Sequence, residues 1–222
     1  MKIIEYLCDT FIADFLNENS NVIDLGGNKG EFSGFILDNF NSNIYVVEPI
    51  PELFKQISEN FKIRKFQHCI SNQKEIEISI PENQCATIYD KNFKDKIICQ
   101  GITLGEFLKQ NNISKIDLLK VDIEGAEIEM FETTPAEILK NINQITVEFH
   151  DFLWPELRSN VEKIKNKIIN LGFYCISFSI KNNGDVLFIN KNLISKYQYF
   201  YLKYFYRYLM AIKRFLKRLF KL

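Results

Sequence analysis

Two pairs of polar residues close two apolar runs. Ile116 to Val121 (IDLLKV) runs into Asp122 and Glu124, and Gln144 to Phe149 (QITVEF) brings Glu148 and then His150. Residues two apart on an extended chain point the same way, so each pair faces one side of a strand end. If the two strands are neighbours, all four groups meet in one crevice. Carboxylates beside an imidazole can take a proton from a hydroxyl, with His150 as the natural base and Asp122 and Glu148 as its partners. The same set could hold a divalent cation through oxygen, but no closed ligand motif is present, so a metal is possible and not favoured.

A third stretch offers a ligand for that chemistry. In Val22 to Gly30 (VIDLGGNKG), a short apolar run with one acid meets three glycines within five positions, which reads as a buried strand entering a tight loop and then a helix. Glycine lets the backbone approach a bound molecule closely. A second strand, Asn43 to Val47, ends in Glu48, 22 residues after Gly26, the spacing at which a carboxylate meets both hydroxyls of a ribose. G-x-G-x-x-G fails at Asn28 and Glu31, and no G-x-x-x-x-G-K-[ST] occurs, so a pyrophosphate is not indicated. D-x-G-x-N-x-G followed by a ribose acid is the pattern of S-adenosylmethionine (SAM) enzymes. Each residue also has a plainer use. Asp24 can serve loop amides, Asp122 can cap the following helix, Glu48 can end a strand before Pro49, His150 can be a structural hydrogen-bonder, and His68 can pack inside its strand.

The elements that would carry these residues alternate as βαβα, the pattern of a doubly wound parallel sheet. Helices are expected at 30–39, at 51–61 with Pro51 in the first turn, at 104–111 capped by Thr103, and at 155–171. Strands are expected at 65–70, 75–80, 85–89 and 97–102, those from 75 onward forming a local hairpin or flap, and at 174–180 and 186–190. Asn182-Asn183-Gly184-Asp185 joins the last two as an antiparallel hairpin. Residues 1–19 place Ile4, Leu7, Phe11 and Phe15 at helical spacing and carry Glu5, Asp9 and Asp14. That reads as a helix packed on the domain, not a signal peptide.

The 222 residues, 46% hydrophobic and 25% charged, suffice for one sizeable core. Net charge is zero but lopsided: residues 1–190 carry 28 acids against 19 bases, net −9, and residues 191–222 carry nine bases and no acid. An acidic body repels phosphates, and no base-stacking motif accompanies the loop, so nucleic acid is not an expected substrate. Five cysteines are scattered without a C-x-x-C pair, which suggests neither a disulfide framework nor a zinc site and fits a reducing cytoplasm.

VIDLGGNKG, VVEP, LLKVDIEGAE and TVEFH, in this order over residues 20–150, resemble the FkbM-type SAM-dependent methyltransferases. The resemblance implies a Rossmann-like, mostly parallel seven-stranded sheet with an antiparallel C-terminal hairpin, SAM as cofactor, and methyl transfer, usually to oxygen and often on sugars. It puts Asp24, Gly26, Asn28, Gly30 and Glu48 on cofactor-binding positions and Asp122 beside the transferred methyl; Gly27 and Cys69 are expected in the cofactor set as well. His150, Asp122 and Glu148 form the catalytic set. Gly27 stands where the family more often has alanine, a departure expected to be free of steric cost. Two other classes stay open: an N-methyltransferase on the same scaffold and a non-catalytic nucleotide-binding module.

Residues 1–190 thus read as the methyltransferase domain and 191–222 as a tail. On a helix, Leu202, Phe205, Leu209, Ile212, Leu216 and Leu219 share one face and Lys196, Lys203, Arg207, Arg214, Arg218 and Lys221 another. No apolar run reaches the roughly 18 to 20 residues that span a bilayer. Six tyrosines between Tyr197 and Tyr208 suit a headgroup region. The expected partners are a small-molecule or glycan acceptor and an anionic membrane surface, at the inner face of the cytoplasmic membrane. Packing of the tail on its own domain or in a homo-oligomer is the alternative.

Overall fold

The computed structural model describes residues 1–80, 95–179 and 182–220. The chain opens with a hairpin, β1 (Ile3–Tyr6) and β2 (Asp9–Ile12). There follow β3 (Asn21–Leu25), α1 (Glu31–Phe40), β4 (Asn43–Val47), α2 (Pro51–Phe54), β5 (Ile63–Phe66), β6 (Cys69–Ile70), β7 (Glu75–Ile80) and β8 (Asp95–Ile102). The second half adds α3 (Leu104–Gln110), β9 (Ile116–Val121), α4 (Glu127–Thr133), α5 (Ala136–Lys140), β10 (Ile142–Val147), α6 (Arg158–Asn170), β11 (Phe173–Ser177) and β12 (Val186–Asn190). A C-terminal helix runs through α7 (Lys196–Tyr201), a π-helical turn (Leu202–Tyr206) and α8 (Arg207–Phe220).

Seven strands form the central sheet in the order β11-β12-β10-β9-β3-β4-β5. From β10 to β5 all pairs are parallel, and β12 is antiparallel to both neighbours. The expected α/β, doubly wound, seven-stranded architecture with its antiparallel hairpin is therefore what the chain adopts. β9 is buried at every position, as a strand covered on both faces must be, and so is β10 apart from Asn143. One core, around Phe107, Phe131, Phe149 and Phe188, fills one face of the sheet; a second, around Phe11, Phe32 and Ile36, fills the other. Register sets Asp24 against Lys120 and Val121 against Val147, so the ends of β3, β9 and β10 share one edge.

Several expectations need correction. Residues 1–19 are not a helix: β1 and β2 pair around Leu7-Cys8, with Leu7 left-handed at φ 54°. Ile3, Ile4, Thr10 and Ile12 favour extended chain, and β2 is buried along its whole length. The buried Gln144 holds it, its amide accepting from the Ile12 N–H (2.8 Å) and donating to the Ile12 carbonyl (3.1 Å). The helix expected at 51–61 lasts one turn, because the amides of Gln56 and Ile57 bond three residues back and Asn60 turns the chain into β5.

The strand expected at 65–70 splits: β5 stays in the main sheet, while β6 joins β8 and β7 in a three-stranded sheet. Pairing of β7 with β8 matches the expected local flap, and residues 85–89 lie outside the described residues. Cys69 and Cys99, against expectation, form a disulfide within this small sheet, with Cα atoms 6.3 Å apart. The β11–β12 pair is antiparallel, but Ser177 faces Val186, so the connection is eight residues long and not a tight Asn-Gly turn.

Gln144→Met, which keeps the volume and removes both amide groups, strands two buried backbone groups of Ile12. At about 1 to 3 kcal/mol for each unpaired group, urea unfolding should show a loss of about 2 to 4 kcal/mol. A loss below about 0.5 kcal/mol would contradict the bracing role.

Candidate active site

The glycine loop is shaped by what it must avoid. Gly26 sits at φ 79°, and a Cβ there would lie 1.7 Å from the Asp122 carbonyl oxygen, so only glycine lets β3 and β9 end so close together. Gly26 and Gly27 both donate to the Val47 carbonyl (2.9 and 3.1 Å), and Gly30, at φ 83°, opens α1. Gly27 is not a free departure: a Cβ there would stand 2.1 Å from Val46 Cγ1, a stiff, fully buried branch, so glycine at 27 and valine at 46 are matched.

Asp24 lies fully buried beneath this loop, accepting from Ser33 Oγ (2.6 Å) and 3.2 Å from Lys120 Nζ. It lines neither cleft described below, and Gly30 does not either. Lys120 is the residue that sequence reasoning missed. Its Nζ donates to the Gly26 carbonyl (2.6 Å) and stands 3.6 Å from Asp122, pinning loop and acid together. Burial alone would lower its pKa, but the charges of Asp24, Asp122 and Asp9 outweigh that and raise it above the usual lysine range. A lysine beside the strand end, in a run whose only other polar residue is Asp117 near its start, was the available signal.

A first cleft opens between the loop and the small sheet, lined by Val47, Ile50, Leu53, Ile70, Ile76 and Ile78, with Glu48, Asn28 and Asp122 at its polar end. Each oxygen of Glu48 accepts a backbone N–H, from Asn28 (2.8 Å) and Ile50 (2.9 Å). A carboxylate has about four acceptor sites, so room remains for two hydroxyls. Burial pushes Glu48 up to about 7 against the lowering effect of the two amides. His68 and Cys69 also line this cleft, and the buried His68 Nδ1 has no hydrogen-bond partner. Apolar walls, a braced carboxylate and an orphaned imidazole nitrogen fit the nucleoside of SAM.

A second cleft lies across the loop and shares Gly26, Asn28 and Asp122 with the first. Its other walls are Leu7, Cys8 and Asp9 from the hairpin, Gly27 and Lys29 from the loop, Glu31 and Phe32 from α1, and Lys120 and Glu148. Burial raises Glu148 to about 7, helped by the Asp122 charge, and raises Asp9 to about 8. Leu7 and Glu124 are the two residues other than glycine and asparagine with positive φ among the described residues, and each lines one of the two clefts. Strained backbone of this kind gathers at functional sites.

His150, buried at the end of β10, completes the crevice. Nδ1 meets Glu127 at 3.0 Å, while Nε2 stands 3.2 Å from Glu124 and 3.8 Å from Asp122. Burial lowers its pKa, but the Glu127 hydrogen bond and the three carboxylates carry it up to about 9, so the ring is an imidazolium at neutral pH. Glu127, unmarked in the sequence, also accepts the Ile123 and Gly125 N–H groups and so sets the turn after Asp122. Asp122, Glu148 and His150 each offer an atom within 4.8 Å of the others. The expected convergence of the two strand ends is present.

Among known domains, the profile of the Methyltransferase FkbM domain matches residues 24–175, which hold every site residue above except the hairpin's. The chain belongs to the FkbM methyltransferase family. The matched region is a methyltransferase domain with SAM as its cofactor. This FkbM domain is 22% identical over 164 residues to Methyltransferase 1 of Beauveria bassiana, a match covering 60% of the chain and 66% of that protein's length. Solved structures similar to it include M. capricolum TrmK in complex with S-adenosyl-homocysteine, with TM-score 0.47 and 12% identity, covering 81% of this chain and 66% of that one. Methanococcus jannaschii fibrillarin gives 0.46 and 11%, over 81% and 68%. Likenesses at that level carry no further argument.

Glu48→Ala should weaken SAM binding by roughly 1.5 to 3 kcal/mol, or about 10- to 150-fold, the range for hydrogen bonds to a charged group. Calorimetry on protein with an unchanged unfolding midpoint reads it. Unaltered affinity would remove Glu48 from the cofactor set.

Proposed function

We propose that the protein transfers the methyl of SAM to a hydroxyl oxygen, on a sugar of a cell-surface glycan or of its lipid- or nucleotide-linked precursor, on the cytoplasmic side. What carries this reading is the placement of Glu148: it faces the second cleft beside Asp122, where the two clefts meet, and its pKa of about 7 suits a base at neutral pH. When bound, SAM supplies a methyl on sulfonium, already a good leaving group. Asn28 and Glu48 would hold its ribose, and the apolar first cleft its base. The residues of the second cleft then need only align an acceptor oxygen and receive its proton.

Glu148 accepts that proton as the new O–CH3 bond forms and the S–CH3 bond breaks. His150 enters charged, so its part is to hold Asp122, Glu124 and Glu127 in place; to serve as the base it would first have to release a proton. With Asp9 raised to about 8 and so largely protonated, Glu31, Asp122 and a partly ionised Glu148 stand against Lys29 and Lys120 and leave the second cleft close to neutral, which suits an uncharged hydroxylated acceptor. The Glu148 carboxylate would equally receive the proton of an amine, and this keeps N-methylation as the second reading.

Labelled SAM with glycan fractions, polyols and amines as acceptors tests the class: label in an alkali-stable ether supports the proposal, and label on nitrogen overturns it. Glu148→Gln should bind SAM as wild type does and lose on the order of 10²- to 10⁴-fold in turnover. Because Glu148 accepts only when ionised, kcat/KM should rise with pH through about 7. If the limb instead rises near 9 and His150→Ala loses the activity, the base is His150; if chelation abolishes turnover, a cation at Asp122, Glu148 and His150 takes the role.

A further inference from the structure

The C-terminal helix has two faces, and the domain uses one. Ser195 caps it, exchanging hydrogen bonds with Gln198. On the inner side Leu202 and Met210 are buried, Tyr199 stacks on Tyr174 (4.2 Å between ring centres), and Tyr206 meets Phe178 edge-on. Arg214 reaches Asp185, Glu5 (2.9 Å) and the Phe178 carbonyl (3.3 Å), and Arg207 reaches the Ser179 carbonyl. Packing on its own domain is thus satisfied by this side.

The outer side is apolar and bare. Tyr201, Phe205, Tyr208, Ile212 and Phe215 recur at steps of four and three residues, one stripe of a helix, and are 47% to 64% exposed. Tyr204, Leu209 and Leu216 widen the stripe. Cations border it: Lys196 lies over Phe200 (5.8 Å), Lys203 over Tyr204 (5.6 Å) and Arg207 over Tyr208 (5.9 Å). No acid follows Asp185, while nine bases do. An unbroken stripe of this size marks an interaction surface.

Charge selects the occupant. A second copy pairing the same stripe would bring two tails of nine cations together, which repel, whereas an anionic bilayer complements them. Tyrosines and phenylalanines with cations alongside suit the headgroup region, where rings sit below and charges reach upward. No described helix is long and apolar enough to cross a bilayer. We propose that this outer face lies in the surface of an anionic bilayer, as an in-plane amphipathic helix. The helix contact is independent of the methyl-transfer reading, and its test does not use activity.

Full-length protein is floated with vesicles of phosphatidylglycerol and phosphatidylcholine, or of phosphatidylcholine alone, at low and high salt. Anionic vesicles should carry it at low salt, with at least a tenfold smaller bound fraction at high salt or on neutral vesicles. A triple variant, Phe205→Ser with Ile212→Ser and Phe215→Ser, changes exposed side chains only. It should lose at least tenfold in vesicle binding while keeping wild-type SAM affinity, which shows that the domain is intact. Vesicle binding unchanged in the triple variant, or absent from wild type, overturns the proposal. So does a stable dimer in sedimentation that the triple variant dissolves.

Discussion

Lys120 is the contact on which the rest of the site depends. A lysine in the middle of a fully buried strand is costly unless its charge is met, and here Asp24, Asp122 and the Gly26 carbonyl meet it together. The consequence is geometric. The same ammonium ties the floor of the glycine loop to the acid at the end of β9, and the bare Cα of Gly26 permits the approach. Removing one partner would leave a buried charge uncompensated, which is why Asp24 matters although it faces neither cleft.

From that pin the site divides into an apolar half and an acidic half that meet at Asp122. Environment then separates groups that are alike in isolation. Glu48 and Glu148 are both raised toward neutrality by burial, yet each oxygen of Glu48 is held by a backbone amide at the first cleft and Glu148 faces the second. His150, which composition alone marks as the base, is surrounded by three carboxylates and holds its proton to about 9. In the proposed reaction a carboxyl poised near 7 takes the proton and a ring charged until about 9 balances charge.

The central sheet was legible because its strands are continuous apolar runs broken by glycine, proline and acids, and long-range register follows once sequential strands are neighbours. Glu48, Asp122, Glu148 and His150 were legible for the same reason, since strand ends are where such sheets bind. The N-terminal hairpin was not: its turn is Leu7-Cys8, with neither the glycine nor the asparagine that signals a hairpin, and its apolar residues happen to fall at helical spacing as well. The Cys69–Cys99 pair has no motif and depends on β6 leaving the main sheet, a tertiary event. Asp9 and Glu127 look like ordinary surface acids until the fold buries them. Gly27 could be judged only once Val46 was known to stand behind it.

Hairpin, tail and crevice also share a chain of contacts that no linear reading connects. Asp9 accepts from Thr146 on β10 (3.2 Å), two residues before Glu148, and so one wall of the second cleft is fastened to the strand that leads to Glu148. Its neighbour Thr10 donates to Asp185 (2.8 Å), the carboxylate that also receives Arg214 of the C-terminal helix, while Glu5 on β1 receives the same arginine. One guanidinium therefore joins both strands of the hairpin and the loop before β12 to the helix. Ile12 from β2 and Leu202 and Met210 from the helix lie in one buried cluster with Phe178 and Leu187, so packing repeats what the charges do. The wall of the second cleft and the helix that bears the exposed stripe are thus joined by one continuous set of contacts, and a surface that holds the stripe is tied through them to that wall.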